Sequence, residues 1–283
     1  MKITTLIEDS LNDNKNLVYE HGLSFFIQSP KFNILFDTGK SGNFIKNAKD
    51  MNIDLNKTNH IIISHAHYDH GNGLKSFTQN FNIRPHITLS QYFFSNGKKY
   101  YYNENNIRND EKLRYIGVNF NEDFLKENSF NIHYINLDKT EIEKGIYVFS
   151  NFSSHYDFEK LNPNMKIKIN ESFEVDTFKD EICLGIDTPK GLLVLLGCSH
   201  PGILNMIKSI ETKSNKNILG ILGGTHLMEA SKNRIEQTIV EFKKMNIEIL
   251  GPSHCTGSAA YLKLKNSCSN FFVNSTGSSL SIN

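Results

Sequence analysis

The chain has 283 residues, enough for one large domain or two small ones with a substantial buried core. Its formal net charge is +1, so no strong electrostatic field favours nucleic acid or a membrane surface as a partner. The longest apolar runs, such as Leu192–Leu196, fall far short of the ~20 residues that span a bilayer, and the N-terminus does not resemble a secretion signal. We therefore expect a cytoplasmic protein with a small-molecule substrate, in an oligomeric state that the sequence does not indicate.

The first third of the chain alternates short β-type stretches with helical ones. β-branched and aromatic residues between Gly and Pro predict strands, and apolar residues three or four positions apart predict helices. The predicted strands are Ile3–Ile7, Ser24–Gln28, Phe32–Phe36 and Ile61–Ile63, and the predicted helices are Asn43–Met51 and Gly73–Asn80.

Residues from about 90 to 143 have poor periodicity and are rich in Asn, Tyr, Lys and Glu. We interpret this region as an aromatic-rich insert within a single domain that spans residues 1–283. The run Tyr100–Tyr102 could line a pocket for a flat ring, but it is expected instead to cover the core of the insert. Lys98 and Lys99 are expected to be solvated.

The second half of the chain returns to clear strands and helices. Strands are predicted at Gly145–Phe149, Ile218–Leu222 and Ile247–Leu250, with a hairpin of Glu181–Asp187 and Leu192–Gly197. Helices are predicted at Ile203–Ile210, Ser231–Met245 and Ser258–Lys265. Mixed strands with helices interleaved late in the chain indicate a mixed α/β (α+β) fold whose sheets are covered by helices. Such a fold places functional residues in the loops that follow strand ends.

The run His65–His70, with the sequence HAHYDH, directly follows a predicted strand. Three imidazoles and a carboxylate within six residues are ligands suited to Zn, Mn or Fe. His65 and His67 can face one metal ion, whereas Asp69 and His70, carried round a turn, can face a second. The sequence therefore predicts two divalent metal ions, with zinc as the first choice. The alternative is a surface loop that happens to be rich in histidine, but this spacing is rare by chance.

An HxHxDH motif at a strand end is the hallmark of the metallo-β-lactamase superfamily, which this sequence resembles. The segment Ser64–Leu74 and the DTG triplet that ends at Gly39 both fit that pattern. Four more segments are similar to the subgroup labelled 7,8-dihydropterin-6-methyl-4-(ribofuranosyl)aminobenzene phosphate synthase: Glu20–Ser24, Gly197–Ile203, Gly223–Leu227 and Ser253–Gly257. The resemblance implies a four-layered αββα sandwich with a dinuclear metal site along one edge of its two sheets.

A dinuclear site needs further ligands from later strand ends. His200 and His254 each follow a predicted strand and lie among Gly, Ser and Pro. The resemblance gives His254 the role of the last ligand of the second metal. The expected ligands are His65, His67 and His200 for one metal ion, and Asp69, His70 and His254 for the other.

The sequence departs from the superfamily at Cys198, where many members carry a bridging aspartate. Cys198 could bind metal as a thiolate, but the favoured interpretation is a small buried side chain. In that case Asp180 or Glu181 could supply an oxygen ligand or support another ligand. Asp37 is expected to support the metal-binding loop.

Two residues are predicted to take part in catalysis. Asp69 could orient the attacking water or accept its proton. His226 could be a general acid, contact a substrate phosphate or support a ligand, and the alternative is a helix-capping or surface histidine. His21 and His155 are weaker candidates. The histidines expected to be structural are His60, His86 and His133.

The function predicted first is a metal-dependent hydrolase that attacks an ester, amide or phosphoester of a small molecule with metal-activated water. The subgroup resemblance implies an alternative, a synthase that joins a pterin to an aminobenzene ribosyl phosphate and releases diphosphate. A non-catalytic ligand sensor on the same fold is a third possibility, but the intact HxHxDH motif argues against it. An iron redox enzyme would need a flavin partner domain, and the sequence contains none.

Overall fold

This computed structural model describes residues 1–13, 16–106, 108 and 112–282, which form strands and helices joined by loops. The strands, numbered in chain order, are β1 (Lys2–Ile7), β2 (Ser24–Gln28), β3 (Asn33–Phe36), β4 (His60–Ile62), β5 (His86–Ser90), β6 (Lys98–Tyr102), β7 (Leu113–Tyr115), β8 (Asn131–Ile135), β9 (Lys139–Glu143), β10 (Ile146–Phe149), β11 (Met165–Ile169), β12 (Ser172–Val175), β13 (Cys183–Thr188), β14 (Gly191–Leu196), β15 (Ile218–Gly224), β16 (Ile249–Ser253) and β17 (Ser279–Ser281). The helices are α1 (Asn43–Asp50), α2 (Tyr68–Gly71), α3 (Gly73–Asn80), α4 (Glu122–Glu127), α5 (Ile203–Ser214), α6 (Lys232–Lys244) and α7 (Ser258–Ser267).

The strands form two large sheets and one small sheet. The first large sheet has the order β17-β1-β2-β3-β4-β5-β8, and the second has the order β16-β15-β14-β13-β10-β9. Within them, β3, β4, β5 and β8 are parallel, and so are β14, β15 and β16. Helices α5 and α6 connect the parallel strands of the second sheet, because parallel neighbours need a crossover connection. The small sheet has the order β12-β11-β6-β7.

Strand β14 shows how the sequence produces the layers. Leu192, Val194 and Leu196 pack in the core under helices α5, α6 and α7. Leu193 and Leu195 point the other way, into the core between the two large sheets. This alternation follows from the two-residue period of side chains along a strand. A third core lies between the first sheet and helices α1, α3 and α4, so the fold is the four-layered αββα sandwich that the resemblance implied.

The predicted strands and helices of the main sheets are confirmed apart from shifts at their ends. Helix α6 begins at Lys232 because the Ser231 hydroxyl caps it by accepting a hydrogen bond from the Arg234 amide at 3.2 Å. Ile235 and Ile239 are on its buried face, as their spacing predicts. In the described part of the chain, no helix is both long and apolar enough to cross a bilayer.

The region from about 90 to 143 divides between two parts of the fold. Strands β6 and β7 pair with the hairpin of β11 and β12 in the small sheet. Strands β8 and β9 instead form edge strands of the two large sheets. The sequence does not predict these elements, since their polar and charged residues show little apolar periodicity before the strands pair.

The loops that carry the candidate site residues meet at one edge of the sandwich. Asp37 follows β3, the run His65–His70 follows β4, and His254 follows β16. Neighbouring parallel strands end at the same edge of a sheet, so their loops lie side by side. Donors from both large sheets therefore converge there.

Substitution of Gly73 by alanine is expected to lower the free energy of unfolding by about 1–3 kcal/mol through overpacking. A Cβ atom at Gly73 would lie 2.1 Å from the carbonyl oxygen of Thr38 and 2.6 Å from that of Ser41, and neither backbone atom can move freely. Gly42→Ala is the matched control, because its Cβ would meet only the Ser76 side chain, at 3.1 Å. Urea denaturation of both variants tests this expectation, and equal stability losses would contradict it.

Candidate metal centre

Three buried histidines form the first group of candidate ligands. The Nε2 atom of His65 lies 3.0 Å from Nδ1 of His67 and 3.3 Å from Nε2 of His200. One nitrogen from each ring lies within 4.8 Å of the others. The structure thus brings together the three residues that were expected to bind one metal ion, and we call them the first triad.

Asp69, His70 and His254 form the second triad. The His254 Nε2 atom lies 3.2 Å from His70 Nε2 and 3.3 Å from Asp69 Oδ2. Asp69 and His70 belong to the short helix α2, and His254 opens a 3-10 turn directly after β16. The three residues expected at the second metal are therefore also adjacent, although 184 residues separate His70 from His254.

The hydrogen bonds on the Nδ1 side of His70 and His254 indicate that a cation fits between their Nε2 atoms. His70 Nδ1 lies 2.6 Å from Asp37, and His254 Nδ1 lies 2.7 Å from Asp9. A carboxylate only accepts hydrogen bonds, so each Nδ1 carries a proton and donates it. In the neutral rings, the two Nε2 lone pairs would then face each other at 3.2 Å. Only a positive charge between the two nitrogens, either a proton or a metal ion, relieves this repulsion. Imidazole and carboxylate ligands suit zinc, manganese or iron.

The environment sets the protonation of the histidines. Burial lowers the pKa of His65, His67 and His200 well below the ordinary value, so all three are neutral at pH 7. Burial acts in the same direction on His254, but its hydrogen bonds to Asp69 and Asp9 raise its pKa well above the ordinary value. A metal ion at the second triad would therefore displace a proton, whereas the first triad is already in its ligating form.

Asp37 contacts the HAHYDH loop at the place where it was expected to support that loop. Its carboxylate accepts hydrogen bonds from the Ser64 amide at 2.7 Å and the Ser64 hydroxyl at 2.8 Å, besides the one from His70. It is completely buried and its φ angle is 58°. Such contacts fix the orientation of a ligand ring.

Cys198 is buried, as the favoured interpretation held, but it lies among the candidate donors. Its Sγ atom is 3.1 Å from Nε2 of His70. It forms possible ligand groups with His65 and His70 on one side and with His254 and Cys255 on the other. Cys198 therefore lies between the two triads.

Asp180 and Glu181 hold the loops of the first triad. Asp180 accepts a hydrogen bond from the Ala66 amide at 2.9 Å. Glu181 accepts hydrogen bonds from the Ser199 amide at 2.5 Å and the His200 amide at 2.9 Å. Neither carboxylate belongs to a possible ligand group in the described residues. Of the two roles considered for them, support of other ligands fits this geometry.

An acidic pair at the end of β1, which the sequence pattern did not assign to the site, contacts His254. Glu8 accepts a hydrogen bond from the His254 amide at 2.6 Å, and Asp9 holds the ring of the same residue. His21 bridges Asp9 and Asp69, at 2.9 and 3.2 Å, and these hydrogen bonds raise the pKa of His21 to about 9. Two carboxylates directly after a strand were the only local signal for this contact.

Cys255 was also missed as part of the site. Its Sγ atom donates to the carbonyl of Cys198 at 3.3 Å and accepts from the His226 amide at 3.3 Å. Burial raises the pKa of Cys255, but its contacts with Cys198 and His254 outweigh this effect and lower the pKa to about 7.

A cavity of about 300 Å³ opens onto both triads. His226 lines it with its ring centroid 4.2 Å from that of His200, and burial lowers the pKa of His226 to about 4. Arg114 also lines the cavity and makes no ion pair with any described residue. The Tyr101 hydroxyl donates to Glu229 at 2.7 Å. The other walls are Tyr68, Ile116, Met165 and Met228.

The remaining histidines lie outside this cavity. His155 contacts the Ser209 hydroxyl at 3.2 Å, and His60 pairs with Glu143 at 3.1 Å. His86 stacks on His60, and His133 lies on the edge strand β8. These contacts fit the structural roles expected of His60, His86 and His133.

The chain is similar over most of its length to several known proteins, among them two relatives and one solved structure. A Methanocaldococcus jannaschii protein named 7,8-dihydropterin-6-methyl-4-(beta-D-ribofuranosyl)-aminobenzene-5'-phosphate synthase is 31% identical over 276 residues, which cover 92% of this chain and 89% of that protein. An uncharacterised protein of the same organism is 30% identical and covers 88% of this chain and 89% of its own length. A solved structure described as a metal-dependent hydrolase of the beta-lactamase superfamily is 30% identical and has a TM-score of 0.83, over 100% of this chain and 99% of that chain.

The family match agrees with the fold and with the position of the triads. Residues 19–141 match the sequence model of the metallo-beta-lactamase superfamily, and this segment contains the HAHYDH motif. The two M. jannaschii relatives extend the similarity over most of the chain, including the later loops. The chain belongs to the metallo-beta-lactamase superfamily.

Proposed function

We propose that this protein is a hydrolase that cleaves an ester, amide or phosphoester bond of a small molecule at a dinuclear metal centre. The observation that supports this most is the pair of adjacent triads beside one cavity, with the His70 and His254 Nε2 atoms 3.2 Å apart. The likeness to a structure described as a metal-dependent hydrolase supports the same reaction class.

Two divalent cations, with zinc preferred and manganese or iron as alternatives, would be held by the two triads. When bound, they would supply Lewis acidity that activates water and polarises the bond under attack. Burial raises the pKa of Asp69, but hydrogen bonds from His21 and His254 outweigh it and keep the carboxylate ionised, so Asp69 can orient the nucleophile in the cavity and accept a hydrogen bond or proton from it. His21, which hydrogen-bonds to Asp69 at 3.2 Å, keeps this carboxylate oriented.

His226 is expected to contact the substrate through hydrogen bonds. Its low pKa, about 4, leaves it neutral at pH 7, so it is a poor general acid but can donate or accept a hydrogen bond. Its backbone φ angle of 47° is unusual for a residue with a side chain and aims the ring from the end of β15.

A synthase is the second candidate, and two observations favour it. The M. jannaschii relative carries a synthase name and matches nearly the whole chain. The cavity also combines aromatic walls at Tyr68 and Tyr101 with the cation Arg114, which suits a flat ring attached to an anionic group. The reaction would join a pterin to an aminobenzene ribosyl phosphate and release diphosphate.

The purified wild-type protein should hold about two equivalents of metal, because each triad offers one complete set of ligands. His67→Ala and Asp69→Ala should each reduce this content by about one equivalent and abolish turnover, since the two residues belong to different triads. Elemental analysis after dialysis measures the content, with His155→Ala as the control that should match wild type. Full metal content and activity in both triad variants would contradict the assignment.

Cys198 is expected to bind metal, because its Sγ atom lies 3.1 Å from His70 Nε2. Burial raises the pKa of its free thiol, but a thiol that coordinates a metal ion loses its proton. Cobalt-substituted protein should therefore show a strong near-ultraviolet sulfur-to-cobalt absorption band. The band should disappear in Cys198→Ser and persist in Cys268→Ser, which alters a cysteine outside the cavity. A band that survives in Cys198→Ser but not in Cys255→Ser would assign the thiolate to Cys255 instead.

The reaction class can be decided with two parallel assays on protein loaded with Zn, Mn or Fe. A hydrolase should turn over generic ester, lactam or phosphodiester substrates, whereas a synthase should release diphosphate only from a pterin diphosphate with its aminobenzene partner. Arg114→Gln should raise KM about tenfold for anionic substrates and leave neutral ones unchanged. Binding of ligands without turnover in either assay would indicate a sensor.

A further inference from the structure

A fully buried lysine lies behind the first triad. Lys99, on β6, is 1% exposed, and its Nζ atom donates to Asp176 and Asp180 at 2.6 Å each. Burial would lower the pKa of Lys99, but the two carboxylates outweigh it and raise the pKa, so the ammonium group is charged. The expectation that Lys99 is solvated is wrong, because the pairing of β6 with β11 carries it into the interior.

Lys99, Asp176 and Asp180 form a buried charged cluster. Its first connection to the first triad passes through the backbone of the HAHYDH loop. Asp180 uses one oxygen for Lys99 and the other for the amide of Ala66, at 2.9 Å. Ala66 is the residue between the two histidines of the HAHYDH motif that belong to the first triad. The Lys99 carbonyl also accepts the Ile116 amide, whose own carbonyl accepts the Tyr68 amide, both at 3.0 Å. The ligand loop is therefore attached to the cluster at two points.

The second connection passes through an aromatic ring. Phe178 lies between the two aspartates in sequence, and its ring stacks on that of His200 with 4.0 Å between centroids and an 8° interplanar angle. The Lys99 Nζ atom lies 5.0 Å from the centroid of the same Phe178 ring. The backbone of Phe178 has a φ angle of 53°, which is rare for a bulky residue and costs energy. This conformation is maintained by the Asp176 carboxylate, which accepts the Phe178 amide at 2.8 Å.

Global stability does not account well for such a cluster. Removing three charges from water costs free energy that their attraction only partly returns, and apolar side chains of similar size often stabilise a protein as well or better. The cluster does, however, contact the loop of His65 and His67 through Asp180, and it reaches the ring of His200 through Phe178. The contacts of the cluster with the first triad therefore account for it better than a contribution to folding stability does.

We propose that the cluster of Lys99, Asp176 and Asp180 is a positioning element that holds the three histidines of the first triad in their metal-binding arrangement. This inference rests on the proposed dinuclear function and adds to it residues that do not touch the metal ions or the substrate. Lys99 does not line the cavity of the two triads, so a direct catalytic role is not part of the proposal.

Two variants test the proposal. Lys99→Met removes the charge and keeps the length of the side chain, but it leaves two buried carboxylates without a cation. A triple variant, Lys99→Met with Asp176→Asn and Asp180→Asn, leaves no uncompensated charge and keeps an amide oxygen for Ala66. The affinity of each metal ion is measured by competition with a chromophoric chelator, and the ligand geometry by the visible spectrum of the cobalt-substituted protein.

Both variants should bind one metal ion at least about tenfold more weakly than wild type, as expected when the residues that orient a ligand are lost. The other ion, at the second triad, should bind within about twofold of wild type, and only one set of cobalt bands should change. Two controls should leave both affinities and the spectrum unchanged. Lys216→Met removes an ion pair with Asp187, and Ile210→Ala lowers stability from a core away from the site.

The outcomes separate this inference from the function on which it rests. Unchanged affinities and spectra in a folded variant would overturn the positioning role and leave the dinuclear function standing. If Lys99→Met does not fold, the triple variant decides, and failure of both to fold would assign the cluster to stability and overturn the proposal. A wild-type protein that binds no metal would overturn the proposed function and this inference with it.

Discussion

The Nε2 atoms of His70 and His254 face each other at 3.2 Å, and a carboxylate behind each ring prevents the rings from turning away. Asp37 follows β3 and Asp9 follows β1, so both carboxylates come from the first sheet, whereas His254 comes from the second. His254 carries a proton here, because its hydrogen bonds to Asp69 and Asp9 raise its pKa, and a metal ion would take the place of this proton. Much of the surrounding structure can be understood as the scaffold that holds the two rings in this arrangement and lets a metal ion replace the proton.

The sandwich provides that scaffold because its two sheets contribute different parts of the site. The HAHYDH loop and Asp37 follow strands of the first sheet, and Cys198, His200 and His254 follow strands of the second. The apolar core between the sheets fixes their separation. Cations held by both sets of ligands would link the sheets at their common edge, so metal binding is expected to stabilise the fold as well as to supply chemistry.

The small sheet has a separate role, because it forms the wall of the cavity away from the triads. Tyr101, Arg114 and Met165 come from its strands and face the space where a substrate would lie. Its strand β6 also carries Lys99 into the interior behind the first triad. The large sheets therefore carry the candidate ligands, whereas the small sheet carries cavity-wall residues and the buried Lys99. Because a fold hosts many reactions, substrate choice must be sought in such walls.

The sequence by itself determined the main strands and helices and the division of the HAHYDH motif between two triads. These features depend on local periodicity and on the reach of neighbouring side chains, which a short segment specifies. Their positions after predicted strands pointed to His200 and His254, and resemblance to a known family added the role of His254 and the order of layers. Only the tertiary structure decided that Glu8 and Asp9 hold His254, that Lys99 is buried, and that Cys198 lies between the triads. These contacts join segments far apart in the chain, and neither the burial of a charge nor the partner of a carboxylate follows from local pattern, because both depend on how the sheets pair and pack.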